Sequence, residues 1–209
     1  MSFSLIIPIY NEEQNILPLL NEIKNSLSSV KYTYEIIIIN DCSTDGSLQI
    51  IKKSSFFNQL KIINNDSNIG QSYSIIKGVK TAKYDTIITI DGDGQNNPND
   101  IIKLLDAYKK DQAIFLVGGI RLKRRDNVIK IFSSYIANRV RSFILKDNCK
   151  DTGCSLKVFD KETFLKFPKF DGIHRFLPAL FAGYNKQTFF INVDHRPRIY
   201  GQSKYGTFK

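Results

Sequence analysis

An α/β fold built on a doubly wound, mostly parallel sheet is predicted by three features of the sequence. Short β-branched runs alternate with helix-period segments four times before residue 92, the pattern of strands joined by helical crossovers. The second run holds the consecutive isoleucines Ile36, Ile37, Ile38 and Ile39, as a strand covered by helices on both faces requires. The fourth, from Tyr84 to Ile90, ends in Asp91-Gly92-Asp93-Gly94-Gln95. That places two carboxylates at the carboxyl end of a buried strand, where open α/β sheets bind their ligands.

In chain order, Ser4 to Tyr10 reads as the first strand, and Asn11 as a cap for the helix whose apolar positions are Ile16, Leu19, Leu20, Ile23 and Leu27. Tyr34 to Ile39 is the second strand. The Asn, Asp and Ser residues of Asn40 to Ser47 suit a turn, with Asp45 or Ser47 capping a helix through Ile51. Lys61 to Asn64 is a short third strand, Asn65 to Gly70 a loop, and Ser72 to Ala82 a helix. After the acidic turn, Pro98 and Asn99 open a helix over Asp100 to Lys110, and Ala113 to Gly119 is a fifth strand. A helix is expected over 128–145, with Phe132, Ile136, Val140, Phe143 and Ile144 on one face and Lys130, Arg139, Arg141 and Lys146 flanking it. Gly153 to Phe159 and Phe189 to Val193 read as strands, and His195 to Gly206 is too irregular for a helix.

The 209 residues, 42% hydrophobic and 24% charged, suit one globular domain over 1–209 with a core of its own. Cys42, Cys149 and Cys154 lack metal-site spacing and are odd in number, so thiols in a reducing compartment are expected. No apolar run approaches the ~18 residues of a spanning helix. The net charge of +10 is unevenly placed, −3 over residues 1–100 against +7 over 121–150 and +5 over 151–209. The second half is therefore suited to anions: phosphorylated substrate, acidic membrane or nucleic acid.

Asp91 and Asp93 can hold a hard divalent cation through oxygen, with a diphosphate filling other positions and Gln95 adding a neutral oxygen. The same residues could form a simple Asp-Gly turn. Likewise Tyr10, Asn11 and Glu12 could merely end a strand and start a helix, and Asp41, Asp45 and Asp151 could be turn or cap residues. His174 and His195 are expected to be structural and away from the acidic cluster.

Four pieces in order, Pro8-Ile9-Tyr10-Asn11-Glu12, Asn40 to Gly46, Asn68-Ile69-Gly70 and Asp91 to Gln95, resemble the family 2 glycosyltransferases of GT-A fold. Gly119-Ile120-Arg121, Asp151-Thr152-Gly153-Cys154 and Arg198-Ile199-Tyr200-Gly201-Gln202-Ser203-Lys204 are similar to the dolichol-phosphate (polyprenyl-phosphate) mannose synthase branch. The resemblance implies a mixed, mostly parallel sheet, a nucleotide-sugar half over 1–120 and an acceptor half over 121–209. It implies that Pro8, Tyr10, Asn11, Glu12, Asp41 and Gly92 line the nucleotide sugar, and that Asp91, Asp93 and Gln95 bind Mg2+ or Mn2+ with the diphosphate. Arg198, Ser203 and Lys204 would close over that diphosphate. Arg121, Lys130, Ser133, Ser134 and Asp151 would meet the acceptor phosphate.

The implied reaction moves a hexose, foremost mannose from GDP-mannose with a UDP-sugar as the alternative donor, to a polyprenyl phosphate at the cytoplasmic membrane face. A phosphate nucleophile is already ionised, so no strong base is needed, and direct displacement would invert the anomeric centre. Branch members often continue into membrane helices, whereas this sequence runs to Lys209 just past the Ser-Lys pair. Membrane contact is therefore expected from 128–145, from a membrane subunit, or from a segment beyond this sequence. One alternative is the same donor chemistry on a glycan or other non-lipid acceptor. Another is a non-catalytic basic protein binding nucleic acid or anionic membrane. The acidic strand end disfavours nucleic acid, because its carboxylates repel phosphate without a cation between them.

Overall fold

The computed structural model describes residues 1–28, 31–54, 60–122 and 149–201. The expected helix over 128–145 and the site candidates Lys130, Ser133, Ser134, Ser203 and Lys204 lie outside the described residues. Seven strands, β1 (Ser2–Ile9), β2 (Thr33–Asn40), β3 (Leu60–Asn64), β4 (Thr86–Thr89), β5 (Ile114–Arg121), β6 (Lys157–Asp160) and β7 (Gln187–Val193), make one sheet. Its order is β3-β2-β1-β4-β6-β5-β7. The helices are α1 (Glu13–Ser28), α2 (Ser47–Lys53), α3 (Gly70–Thr81), α4 (Asp100–Lys109), α5 (Lys161–Leu165) and α6 (Ile173–Gly183).

The sheet is mixed and mostly parallel, as the sequence predicts. β3, β2, β1 and β4 run parallel. β6 is inserted antiparallel between β4 and β5, and β7 pairs parallel with β5. The isoleucine run shows why two layers of helices are needed. Ile36 and Ile38 enter a core with α1 and α4, while Ile37 and Ile39 enter the opposite core with α3 and α6. All four are fully buried, and each such side chain contributes about 2 kcal/mol of transfer free energy. Among the described residues no helix is long and apolar enough to cross a membrane.

The sheet crosses the charge boundary near residue 120, because β6 returns to pair with β4 of the acidic first hundred residues and β7 with β5. β6 is shorter at its start than the expected strand from Gly153. The carbonyl of Cys154 accepts the ammonium of Lys157, and that of Ser155 accepts the Thr89 hydroxyl at 2.7 Å. These carbonyls are therefore held by side chains next to the site. The sequence reading assigns nothing to α5 and α6. α5 has only five residues and is capped by Asp160, whose Oδ1 accepts from the Thr163 N–H at 2.7 Å. α6 carries an internal proline, Pro178, which reads as a helix breaker.

Candidate active site

The site is built at the carboxyl ends of β1, β2 and β4. Asn11 and Cys42 both take positive φ, 53° and 60°, turning the chain sharply as it leaves β1 and β2. Asn is one of the side chains that tolerates this conformation. Asn11 does not cap α1 as expected. Its carboxamide clamps Thr44, accepting from the Thr44 N–H at 2.7 Å and donating to Thr44 Oγ1 at 3.2 Å. The Glu12 N–H donates to Ser47 Oγ at 2.8 Å, so the two turns form one wall. Asp41 is buried, and its carboxylate accepts from Asn65 Nδ2, the Ile69 N–H and the Gly70 N–H at 2.8, 2.9 and 2.8 Å. It fastens the Asn65–Gly70 loop to the end of β2.

The acidic turn after β4 passes tightly across β1. A side chain at Gly92 would lie 2.6 Å from Ile9 Cγ2 and 3.2 Å from the Pro8 carbonyl, so only glycine allows the approach. Asp91 accepts from Gln71 Nε2 at 2.6 Å. Burial and then the neighbouring Asp93 carboxylate push its pKa upward, opposed by a hydrogen bond from Ser155 and by the charges of Lys157 and Arg121. Asp93 is also raised, first by burial. The Gln95 N–H, donating to Asp93 Oδ1 at 3.1 Å, and the nearby Arg198 pull it back, while Glu12 pushes it further.

Two carboxylates that oppose each other's ionisation, all-oxygen donors, and a backbone thinned by glycine fit a hard dication. Among the described residues no group of three His, Cys, Asp or Glu could hold one alone.

The segment 194–201 lies across this turn. The Arg196 N–H donates to the Gln95 carbonyl at 2.8 Å, Gln95 Nε2 donates to the Arg196 carbonyl at 3.3 Å, and His195 bridges Asn96. Arg198 pairs with Glu12, which also accepts from Asn15 Nδ2 at 2.7 Å. Arg196 pairs with Glu22 of α1 at 2.8 Å. The structure thus brings Glu12, Asp93, Gln95 and Arg198 together.

On the other side Arg121, the last residue of β5, grips Asp151 through both ends of its guanidinium. Nε lies 2.7 Å from Oδ2 and NH2 2.8 Å from Oδ1. Of the five predicted acceptor residues, the two that are described, Arg121 and Asp151, are partners of each other. Pro8 lines the same small cavity as Asp91, and Tyr10 is half-buried at the end of β1.

The expectation that neither histidine lies near the acidic cluster is corrected. α6 starts against the N-terminus of α3, which puts His174 on the wall of the cavity that Asp91 lines. The Gly172 N–H donates to Ser72 Oγ at 2.7 Å, and that hydroxyl faces His174 Nδ1 at 2.9 Å. Which of the two groups donates depends on the tautomer of the ring. Burial lowers the His174 pKa to about 4, which keeps the ring neutral at neutral pH. The sequence reading also misses Gln71, Asn96, Ser155 and Lys157. Lys157 is buried beside Asp91, and burial lowers its pKa. The polar residues at 155 and 157, within an otherwise apolar strand signal, were the visible trace of this second wall.

A family model described as glycosyl transferase family 2 matches residues 4–167. A dodecaprenyl-phosphate galacturonate synthase of Rhizobium johnstonii is 34% identical over 212 residues, covering 99% of this chain and 62% of that protein. An undecaprenyl-phosphate 4-deoxy-4-formamido-L-arabinose transferase of Aeromonas hydrophila is 31% identical over 205 residues, covering 97% and 62%. The chain thus spans 62% of the length of these relatives. Among solved structures, glucosyl-3-phosphoglycerate synthase from Mycobacterium tuberculosis with Mn2+, UDP and phosphoglyceric acid superposes with a TM-score of 0.72 at 16% identity, covering 94% of this chain and 71% of that one. A mannosyltransferase from Pyrobaculum calidifontis with GDP-Man and Mn2+ gives a TM-score of 0.68 at 15% identity, covering 95% and 57%.

Proposed function

Because this chain belongs to glycosyl transferase family 2, we propose that it transfers a sugar from a nucleotide sugar to a polyprenyl phosphate at the cytoplasmic face of a membrane. The observation that carries the reading is electrostatic. The pKa of Asp91 is raised by burial and by the charge of Asp93 and eased by that of Arg121 on β5, while Asp93, also raised by burial, is eased by Arg198 of the overlying segment. Such a cleft suits two phosphate groups, one arriving with the donor and one on the acceptor. The polyprenyl-phosphate relatives support that acceptor class.

In this reading Pro8, Tyr10, Asn11, Glu12 and the loop fastened by Asp41 receive the nucleoside. Gly92 lets the acidic turn lie against β1, which seats the carboxylates where the diphosphate would bind. Mg2+ or Mn2+, held by Asp91, Asp93 and Gln95, would supply positive charge to the leaving diphosphate. Arg198 adds charge from above, with Ser203 and Lys204 following it in sequence. Arg121, paired with Asp151, faces the acceptor phosphate, and Lys130, Ser133 and Ser134 are its expected companions. An acceptor phosphate oxygen bonds to the anomeric carbon while the bond from that carbon to the diphosphate oxygen breaks. The electron pair leaves with the nucleotide, and the anomeric centre inverts. No protein base is required, and neutral His174 has no such role here.

The donor follows less directly from these residues. Mannose from GDP-mannose is the donor implied by the motifs, whereas the curated relatives are named for galacturonate and 4-deoxy-4-formamido-L-arabinose. The test is a panel of radiolabelled GDP- and UDP-sugars, uronic acids and amino-arabinoses included, offered with a short polyprenyl phosphate and Mn2+ or Mg2+. A chloroform-soluble product that requires metal and disappears in Asp93→Ala is expected. Transfer to soluble glycans alone would refute the lipid acceptor, and metal-independent transfer by Asp93→Ala would refute the site.

A further inference from the structure

We propose that Gln71 is a positioning residue for Asp91, and that the first turn of α3 ties it to Asp41, so that one short piece of chain sets both the nucleoside end and the metal end of the site. The inference rests on the reading that Asp91 and Asp93 hold a divalent cation. Its own support is the set of contacts made by four consecutive residues. The Ile69 and Gly70 N–H groups donate to the two oxygens of Asp41 at 2.9 and 2.8 Å. Gln71 Nε2 donates to Asp91 Oδ1 at 2.6 Å. Buried Ser72 accepts from the Gly172 N–H at 2.7 Å and faces His174 Nδ1 at 2.9 Å, which seats the same turn against α6.

The arrangement follows from how a helix begins. The first N–H groups of a helix have no partner within it, and Ile69, at the cap position of α3, offers no side-chain hydrogen bond. Asp41 supplies the acceptor from the end of β2, and a carboxylate there is also favoured by the helix dipole. Side chains of a helix lean toward its N-terminus, so Gln71, the second residue of α3, reaches past the capped end toward the strand ends. An ionised carboxylate only accepts, so the amide nitrogen is the end of Gln71 that meets Asp91. β1 stands between β2 and β4 in the sheet. The α3 turn therefore joins two carboxylates whose strands are not neighbours. The loop before it is held as well, since Asn65 Nδ2 donates to Asp41 at 2.8 Å and to Ser74 Oγ of α3 at 3.1 Å. Removing a partner that orients a metal-binding side chain typically weakens metal binding by about 10- to 100-fold. A glutamine that only filled space would have no such effect.

The experiment is Mn2+ binding, read from the electron paramagnetic resonance signal of free Mn2+, without nucleotide so that Asp41 cannot act through a base, alongside thermal melting without metal. Gln71→Met keeps the length of the side chain, and Gln71→Asn keeps the carboxamide but withdraws it from Asp91. Both should weaken Mn2+ binding about tenfold while the melting temperature stays close to wild type. Asp41→Asn, which takes an acceptor from the α3 turn, should weaken it about threefold. Combined with Gln71→Met it should weaken binding no further than Gln71→Met alone, because the two residues act along one path. Wild-type Mn2+ affinity in Gln71→Met or in Asp41→Asn would overturn the inference and leave the metal reading intact. So would losses that multiply in the double variant or that follow the melting temperature. If wild-type protein binds no Mn2+ that Asp93→Ala abolishes, the metal reading fails and the inference fails with it.

Discussion

The Arg121–Asp151 pair makes the most demanding prediction, because its two members should respond differently to removal. Three N–H groups meet one carboxylate: the two guanidinium donors at 2.7 and 2.8 Å, and the Arg121 backbone N–H at 3.2 Å. The side chains keep only 16% and 6% of their surface exposed, so little solvent screens either charge. Breaking such a pair from one side costs about 3–5 kcal/mol, since a buried charge is left uncompensated. Arg121→Ala and Asp151→Asn should each therefore lose about 3 kcal/mol in urea unfolding. The double variant Arg121→Met with Asp151→Leu should lose less than the sum of its singles, by about 2 kcal/mol.

Function separates the two single variants. Arg121→Ala should raise KM for the polyprenyl phosphate about tenfold with nucleotide affinity unchanged, because one cation is lost from the acceptor side. Asp151→Asn removes a carboxylate from the same place, so the acceptor phosphate meets less repulsion and KM should not rise with it. Single variants that each cost under about 1 kcal/mol and add in the double would show the pair to be solvent-screened. Equal rises in KM for both variants would show that Asp151 acts only by holding Arg121, and would refute the opposition of signs.

Two further outcomes follow from the walls of the site. Gly92→Ala must displace Ile9 or the Pro8 carbonyl, which a new Cβ would approach to 2.6 and 3.2 Å. It should cost about 1–3 kcal/mol and weaken Mn2+ binding, and unchanged stability and affinity would count against the tight turn. His174 is neutral when folded, with a pKa of about 4 against 6.5 when exposed. Between those values the unfolded chain takes up a proton that the folded chain refuses, so stability is complete above pH 6.5 and falls as the pH drops toward 4. The loss amounts to about 3 kcal/mol. Urea titrations of wild type and His174→Gln at neutral and acid pH should differ by that slope, and parallel losses in both proteins would refute the assignment.

The parts of this protein that were legible in its sequence are those set by local chemistry. Isoleucines at period two mark a strand between two helical layers, and glycines flanking aspartates mark a turn open to a ligand, whatever the distant chain does. The pairing of charges was not legible, because it depends on where β6 enters the sheet. Asp151 and Arg121 lie thirty residues apart and meet only because β6 inserts antiparallel between β4 and β5. The same insertion carries Ser155 and Lys157 to Asp91, against which periodicity in residues 153–159 suggested only a strand. His174 was misplaced for a related reason, since α6 reaches the cavity through its contact with α3, a packing that the internal Pro178 disguises in the sequence. An antiparallel strand amid parallel ones thus does chemical work beyond completing the sheet. It turns the basic half back onto the acidic strand ends, so that the charges of Lys157 and Arg121 bear on Asp91. A substitution at Arg121 should therefore change the acceptor side alone, and one in the loop fastened by Asp41 the donor side alone.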